Sequence, residues 1–289
     1  MTDLRYEAPQ TLEAALALLA GARGATRLLA GGTDVIVQME TDLIEPQLLV
    51  DIKKIPELRA IAAEDGGFRV GAAVPGMELL GHAAFCKAWP GVIEGVKLIG
   101  SIQIKGRASM GGNLCNASPA ADSVPALVAA GAVARIAGAR GVREVPVEKV
   151  PIAPGKTSLA KDEIVLSFFL PPRPPHSGDA YLRFTPRTEM DIAVVGVGVN
   201  LTLDERRICT AARVALGAVA PTVLLVEEAG AALVGTRLEE AALERLARAA
   251  SAACRPIDDK RGTKEYRIKV AGVLAKRTAL AALERARQS

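Results

Sequence analysis

Aromatic residues, histidines and cysteines are scarce in this chain, and each scarcity removes a class of function. Five Phe, three Tyr and one Trp in 289 residues offer few rings on which nucleic-acid bases could stack. The apolar half of the sequence must instead pack as Ala, Val, Leu and Ile on helices and strands. Two histidines, His82 and His176, and four dispersed cysteines, Cys86, Cys115, Cys209 and Cys254, with no CxxC spacing, make no ligand set for zinc or an iron–sulfur cluster. His82 has no carboxylate or cysteine at ligand spacing, so both histidines, Cys86 and Cys115 read as packing or surface residues. No Ser-His-Asp or Cys-His arrangement can be composed.

Charge of one sign and long apolar runs are lacking too. Against 36 Lys+Arg stand 32 Asp+Glu, a net +4, and the basic residues are scattered, which disfavours a nucleic-acid partner. The longest apolar stretch, 214–226, contains Gly217 and Pro221 and falls far short of the roughly 20 residues needed to cross a bilayer. The start, Met1 to Glu7, mixes both charge signs ahead of an amphipathic stretch at 12–19, unlike a signal peptide. A cytoplasmic protein that is not integral to a membrane is expected. Its chemistry must use backbone donors, a borrowed cofactor, or carboxylates and hydroxyls.

What is present has an order. The length suggests about two domains. Thr11 is placed to cap a helix reaching Ala20, followed by strands at 27–29 and 47–52 around a short segment at 35–40, a small βαβ unit. Further on, strands are expected at 68–72, 132–136 and 163–170, and helices at 77–88, from Val92 towards Gly100, and at 122–130. Pro171 to Gly178 reads as a linker, stiff through its prolines and flexible at its end. Beyond it, strands at 181–187, 192–203 and 209–217, the last two joined by a turn at 204–207, precede helices at 238–253 and 264–287, an α+β pattern.

Two glycine-rich loops, Ala30-Gly31-Gly32-Thr33-Asp34 and Ser109-Met110-Gly111-Gly112-Asn113, follow apolar segments. Paired glycines let successive backbone N–H groups converge on a phosphate, with Thr33, Ser109 and Asn113 as further donors. One such pair is commonly only a tight turn; two in one domain suit the pyrophosphate of a dinucleotide. Asp34 would repel a phosphate and is expected to cap locally or turn away.

Two better-known phosphate motifs fail. Gly155-Lys156-Thr157 ends like a P-loop, but Val150 stands where the first glycine belongs and Pro151 and Pro154 stiffen the segment. Gly196-Val197-Gly198 begins a GxGxxG, but Leu201 replaces its last glycine and the run alternates like a strand. Asn116 to Asp122 fits either a helix N-terminus or a place where Asp122 accepts a hydrogen bond from a ribose hydroxyl. Arg183, Arg187, Glu189 and Asp191 fit either surface ion pairs or an arginine facing a reduced flavin.

Taken together these segments resemble the FAD-binding medium subunit of the molybdenum hydroxylases, the family of xanthine dehydrogenase, carbon monoxide dehydrogenase and 4-hydroxybenzoyl-CoA reductase. The resemblance covers nearly the whole chain. It rests on Leu28 to Val35, Ile99-Gly100, Ser109 to Leu114 and Asn116 to Asp122. Asp162 to Val165, Arg183 through Asp191-Ile192-Ala193, Leu216 to Thr222, Tyr266-Arg267 and Lys276-Arg277 then follow in the same order.

The resemblance implies an α+β fold: a two-lobed FAD-binding domain of the vanillyl-alcohol-oxidase type (1–56 and 57–175), then a C-terminal α+β domain of antiparallel strands and helices (176–289). It places FAD against Leu28, Leu29, Ala30, Gly31, Gly32, Thr33, Asp34 and Val35, and against Ser109, Met110, Gly111, Gly112 and Asn113. These two loops would hold the pyrophosphate. Ile99 or Gly100 would touch the cofactor, Asp122 the ribose or adenine side, Val165 would lie against it, and Arg183 would stand near the flavin. Where the family often has Thr-Ile before the glycine pair, this chain has Ser109-Met110, which keeps the hydroxyl and the bulk. No cysteine group exists for the extra iron–sulfur cluster of benzoyl-CoA-type members.

The implied function is electron transfer. A molybdopterin-binding large subunit would hydroxylate the substrate, a small subunit would carry two 2Fe–2S clusters, and FAD here would reduce an external acceptor such as NAD, a quinone or oxygen. The implied assembly is a dimer of heterotrimers. A stand-alone flavin reductase or oxidase would turn over without partners, and a scaffold whose glycine loops are only turns would bind no flavin.

Overall fold

The computed structural model describes residues 4–188 and 190–289. The chain begins with β1 (Arg5–Glu7), α1 (Leu12–Gly21), β2 (Thr26–Leu29), α2 (Val35–Glu40) and β3 (Leu48–Asp51), whose strands form a parallel sheet ordered β1-β3-β2. Thr11 Oγ1 accepts from the Ala14 N–H and starts α1. All four residues of the central β3 are buried, as a strand paired on both sides requires. Its one charge, Asp51, accepts from the Tyr6 hydroxyl at 2.6 Å and pairs with Lys53 at 2.8 Å.

Next come β4 (Ile61–Glu64), β5 (Gly67–Gly71), α3 (Gly76–Gly81), α4 (Ala83–Ala88), α5 (Pro90–Lys97), α6 (Ile102–Lys105), α7 (Met110–Cys115) and α8 (Ser123–Ala129). They are followed by β6 (Val133–Gly138), β7 (Gly141–Pro146), the hairpin β8 (Pro151–Ala153) with β9 (Lys156–Thr157), and β10 (Ile164–Leu170). Five of these strands make an antiparallel sheet ordered β4-β5-β10-β6-β7. The single helix expected at 77–88 is two. At the break, His82 Nδ1 accepts from the Phe85 N–H and the ring packs edge-on against Phe68, so this histidine is a cap and a packing group. The edge strands β4 and β7 escape the sequence reading because much of each faces solvent.

The last part holds β11 (Ser177–Phe184), β12 (Val195–Leu203), β13 (Cys209–Gly217), β14 (Leu224–Leu225), α9 (Glu227–Ala231), α10 (Glu240–Ala253) and α11 (Lys264–Gln288), with an antiparallel sheet ordered β11-β12-β13-β14. The architecture is α+β, as expected. β11 starts four residues before the expected strand and ends at Phe184, leaving an irregular segment ahead of β12.

The proline-rich segment is no flexible linker. The Arg173 guanidinium lies 4.9 Å over the Trp89 ring and donates to the Ala88 carbonyl and to Asp179 Oδ1. Gly178 packs so closely on α11 that an added Cβ would stand 2.0 Å from the Ala282 carbonyl oxygen. Helix α8 joins the two halves. All seven of its residues are buried, and Gly198 of β12 approaches it so nearly that a Cβ would lie 2.5 Å from the Pro125 carbonyl oxygen. The core under the first two sheets accordingly includes Tyr181 and Ala215 of the third and Val223 just ahead of its last strand.

Candidate functional site

The segment after β2 carries the first glycine loop onto the end of α6. An added Cβ on Gly31 would stand 2.2 Å from the Arg107 carbonyl oxygen and 2.9 Å from Ala108 Cα, so only glycine allows the two strips of backbone to touch. Between them opens a cleft of about 520 Å³. Leu28, Ala30, Gly31, Gly32, Thr33, Asp34 and Val35 line it from one side. Ile99, Ser109, Gly111, Gly112, Asn113 and Val165 line it from the other. Leu29 and Met110 are buried beneath the loops, and Gly100, Asp122 and Arg183 are not among the lining residues.

The two loops differ in their free hydrogen-bonding capacity. Among the described residues, the backbone N–H groups of Gly31, Gly32, Thr33, Asp34 and Val35 have no acceptor. In the second loop, Gly111 donates to the Ala72 carbonyl, Gly112 to Ser109 Oγ and Asn113 to the Ser109 carbonyl. Ser109 is the N-cap of α7, and Asn113 Oδ1 accepts from both the N–H and the hydroxyl of Ser123 at the start of α8. The first loop is therefore an open nest for an anion, with Arg27 on the cleft wall and Arg107 Nε 3.4 Å from the Gly31 carbonyl. The second is more fully braced: three of its five backbone N–H groups are engaged, and among the described residues those of Ser109 and Met110, with the Asn113 amide N–H₂, have no acceptor.

Asp34 does not cap α2 with its side chain. It turns to the other lobe, where Asn116 Nδ2 donates to Asp34 Oδ1 at 3.0 Å and Gln38 Nε2 donates to Asn116 Oδ1 at 3.0 Å. Desolvation in the cleft raises its carboxyl above the usual range. Other walls are ones the sequence reading missed. Gly155 and Thr157, dismissed with the P-loop, line the cleft from the β8–β9 hairpin, which is tied down by Gly155 N–H donating to the Ala117 carbonyl. Leu43, Ile44, Leu159 and Ile164 supply apolar surface. Cys115 also lines it, its thiol pushed up to about 12 by burial. The Pro154-Gly155 turn is the signal available for the hairpin.

Asp122 and Arg183 meet each other, at 2.6 Å, with both side chains less than a tenth exposed. Asp122 Oδ1 accepts from the Tyr181 hydroxyl at 2.9 Å, and Arg183 also donates to the Leu98 carbonyl at 3.1 Å. Arg187 and Arg261 flank Asp191; Glu189 lies outside the described residues. Burial pushes the Asp122 carboxyl up to about 6 against the pull of Arg183 and Tyr181. That value exceeds the ~3.9 of an exposed aspartate, so the stability this group contributes is fully present below pH ~3.9 and is lost as pH rises through about 6. Asp122→Asn is expected to flatten the stability–pH curve between about pH 4 and 7, measured as urea midpoints; an unchanged slope would refute this assignment.

Comparison with known proteins supplies the family. The family described as "FAD binding domain in molybdopterin dehydrogenase" matches residues 2–173, and "CO dehydrogenase flavoprotein C-terminal domain" matches 180–282. A putative xanthine dehydrogenase FAD-binding subunit of Escherichia coli is 33% identical over 94% of this chain and 93% of its own length. The carbon monoxide dehydrogenase medium chain of Afipia carboxidovorans is 33% identical over 98% and 96%. Among solved structures, a chain of Cu,Mo-CO dehydrogenase superposes with a TM-score of 0.93 at 33% identity, covering 98% of both chains. Quinoline 2-oxidoreductase from Pseudomonas putida gives 0.90 at 26% identity with the same coverage. With an open backbone nest beside an apolar cleft and both halves of the chain matched in order, this protein belongs to the FAD-binding medium subunits of the molybdenum hydroxylases, and its cofactor is FAD.

Proposed function

We propose that the chain collects electrons for a three-component hydroxylase. A partner with 2Fe–2S clusters would deliver electrons to FAD here, a molybdopterin-binding partner would carry out the hydroxylation, and an external acceptor such as NAD, a quinone or oxygen would receive them. The naming of relatives as an FAD-binding subunit and a medium chain supports a subunit over a stand-alone oxidase. Among the described residues no helix is long and apolar enough to cross a membrane. A cytoplasmic complex assembled as a dimer of heterotrimers is part of the same proposal. The three sheets fit units at 1–56, 57–175 and 176–289.

The observation that carries this reading is the row of five backbone N–H groups without acceptors at the wall of the cleft. A pyrophosphate supplies the anionic oxygens such a row needs. On this reading Gly31 to Val35 hold the phosphates with the Thr33 hydroxyl, while the Asn113 amide donates from the opposite side and Gly112, without a side chain, leaves room for the cofactor. Ile99 and Val165 supply apolar contact, and the Gln38–Asn116–Asp34 relay keeps the lobes at a fixed spacing. When bound, FAD supplies the redox chemistry, and the protein's part is to bind, orient and tune it.

The full chain, purified, is expected to be yellow with an oxidised-flavin spectrum, or to become so when FAD is added. Alone and given an external reductant such as NADH, it should pass electrons to dyes but hydroxylate nothing, gaining hydroxylase turnover only with its partners. Folded, colourless protein that takes up no FAD would refute the assignment.

A further inference from the structure

The Arg183–Asp122 pair is, among the described residues, the only ion pair with both side chains less than a tenth exposed, and neither residue lines the cleft. We propose that Arg183 acts on the cofactor through the main chain, as a positioning residue that fixes the Leu98–Gly100 bend, and not as a free positive charge beside the ring. This rests on the cleft being the FAD site.

Three observations carry it. First, the guanidinium is neutralised locally: Asp122 Oδ2 stands 2.6 Å from Nη1 and is itself held by Tyr181. A charge cancelled at that distance projects little field beyond the pair. Second, the remaining capacity of Nη1 goes to backbone. It donates to the Leu98 carbonyl at 3.1 Å and lies 3.5 Å from the Asp191 carbonyl, so one group ties the end of α5 to the segment between β11 and β12. Third, the bend it holds reaches the cleft directly. Ile99 lines the cleft, and Gly100 takes φ +56°, with any added Cβ 2.6 Å from Ile104 Cγ2. An L side chain at Gly100 would therefore be strained and would have to displace Ile104.

The test is a double-mutant cycle in the full chain, with FAD affinity read by flavin fluorescence and the midpoint potential of the bound flavin measured alongside. Arg183→Gln and Gly100→Ala are each expected to weaken FAD binding about tenfold, and the double variant by little more than either, because both disturb one bend. Their potentials should move together. Multiplication to about a hundredfold, or a potential that falls in Arg183→Gln while Gly100→Ala leaves it in place, would overturn the proposal and return Arg183 to direct charge tuning. Should Arg183→Gln fail to fold with Asp122 left unpaired, Asp122→Asn/Arg183→Gln removes both charges and takes its place in the cycle. Wild-type protein that binds no FAD would overturn the site assignment itself; wild-type binding with additive variants would overturn only the clamp.

Discussion

Gly31→Ala is expected to abolish FAD retention on purification and to weaken binding of added FAD by about a hundredfold or more, close to 2.7 kcal/mol. The new methyl would sit 2.2 Å from the Arg107 carbonyl oxygen and 2.6 Å from its carbon. Neither neighbour is the end of a flexible side chain, so one strip of backbone must move. Overpacking of that kind costs about 1–3 kcal/mol, and the movement also displaces the loop that carries the five N–H groups without acceptors. The measurements are the visible spectrum of the purified variant and a titration with FAD. Gly21→Ala is the control, because nothing lies within 4 Å of its added Cβ. An alanine variant at Gly31 that stays yellow with unchanged affinity would place the cofactor elsewhere.

The second large effect is on stability. Asp179, 3% exposed, accepts from the Gly91 N–H at 2.8 Å and from Arg173 Nη1 at 2.7 Å, while its own carbonyl accepts from Arg285. Arg285 in turn pairs with Glu94, which also accepts from the Tyr181 N–H. One carboxylate thus joins α5, the proline-rich segment and β11. Asp179→Ala strands the Arg173 charge and the Gly91 donor together, and breaking a buried pair from one side costs about 3–5 kcal/mol. In a chain of this size that lowers Tm by roughly 10 °C, measured by thermal unfolding followed by circular dichroism. Asp179→Asn keeps an acceptor for Gly91 and should lose less. A drop of under about 1 kcal/mol would mean that water takes over the role of the carboxylate.

Much of this was legible in the chain itself because local rules decided it. Thr11 begins a helix, the period of 264–287 becomes α11 almost residue for residue, and the glycine loops stand where an apolar strand or helix stops. The α+β division followed from the order of strands and helices. What was not legible depended on partners distant in sequence. Asp122 stands at the N-cap position of α8, as the sequence allows, but its side chain makes no cap: Arg183 and Tyr181, about sixty residues on, meet its oxygens, and the Ser123 N–H goes to Asn113 instead. Gly178 looked like a flexible joint because α11, more than a hundred residues later, is what it packs against. The hairpin carrying Gly155 was set aside for lacking one motif, although a wall of a cleft needs no motif. Equal treatment of the two glycine loops failed for a related reason: composition counts N–H groups, and only the fold reveals which are already engaged.

Helix α8 belongs to the FAD-binding half by chain and to the C-terminal sheet by packing, and this restricts how the molecule can move. A hinge between the halves would part Pro125 and Ala129 of α8 from Gly198 and Gly217 of the C-terminal sheet and bring buried apolar surface into water at about 25 cal/mol per Å², along with the Asp122–Arg183 pair. Rigid-body opening of that kind would be rarely visited. Cofactor entry and exit are left to motions at the mouth of the cleft, in the loops and the β8–β9 hairpin. A protein docked on the C-terminal face would therefore meet the redox ring at one fixed separation, whatever the state of its loops.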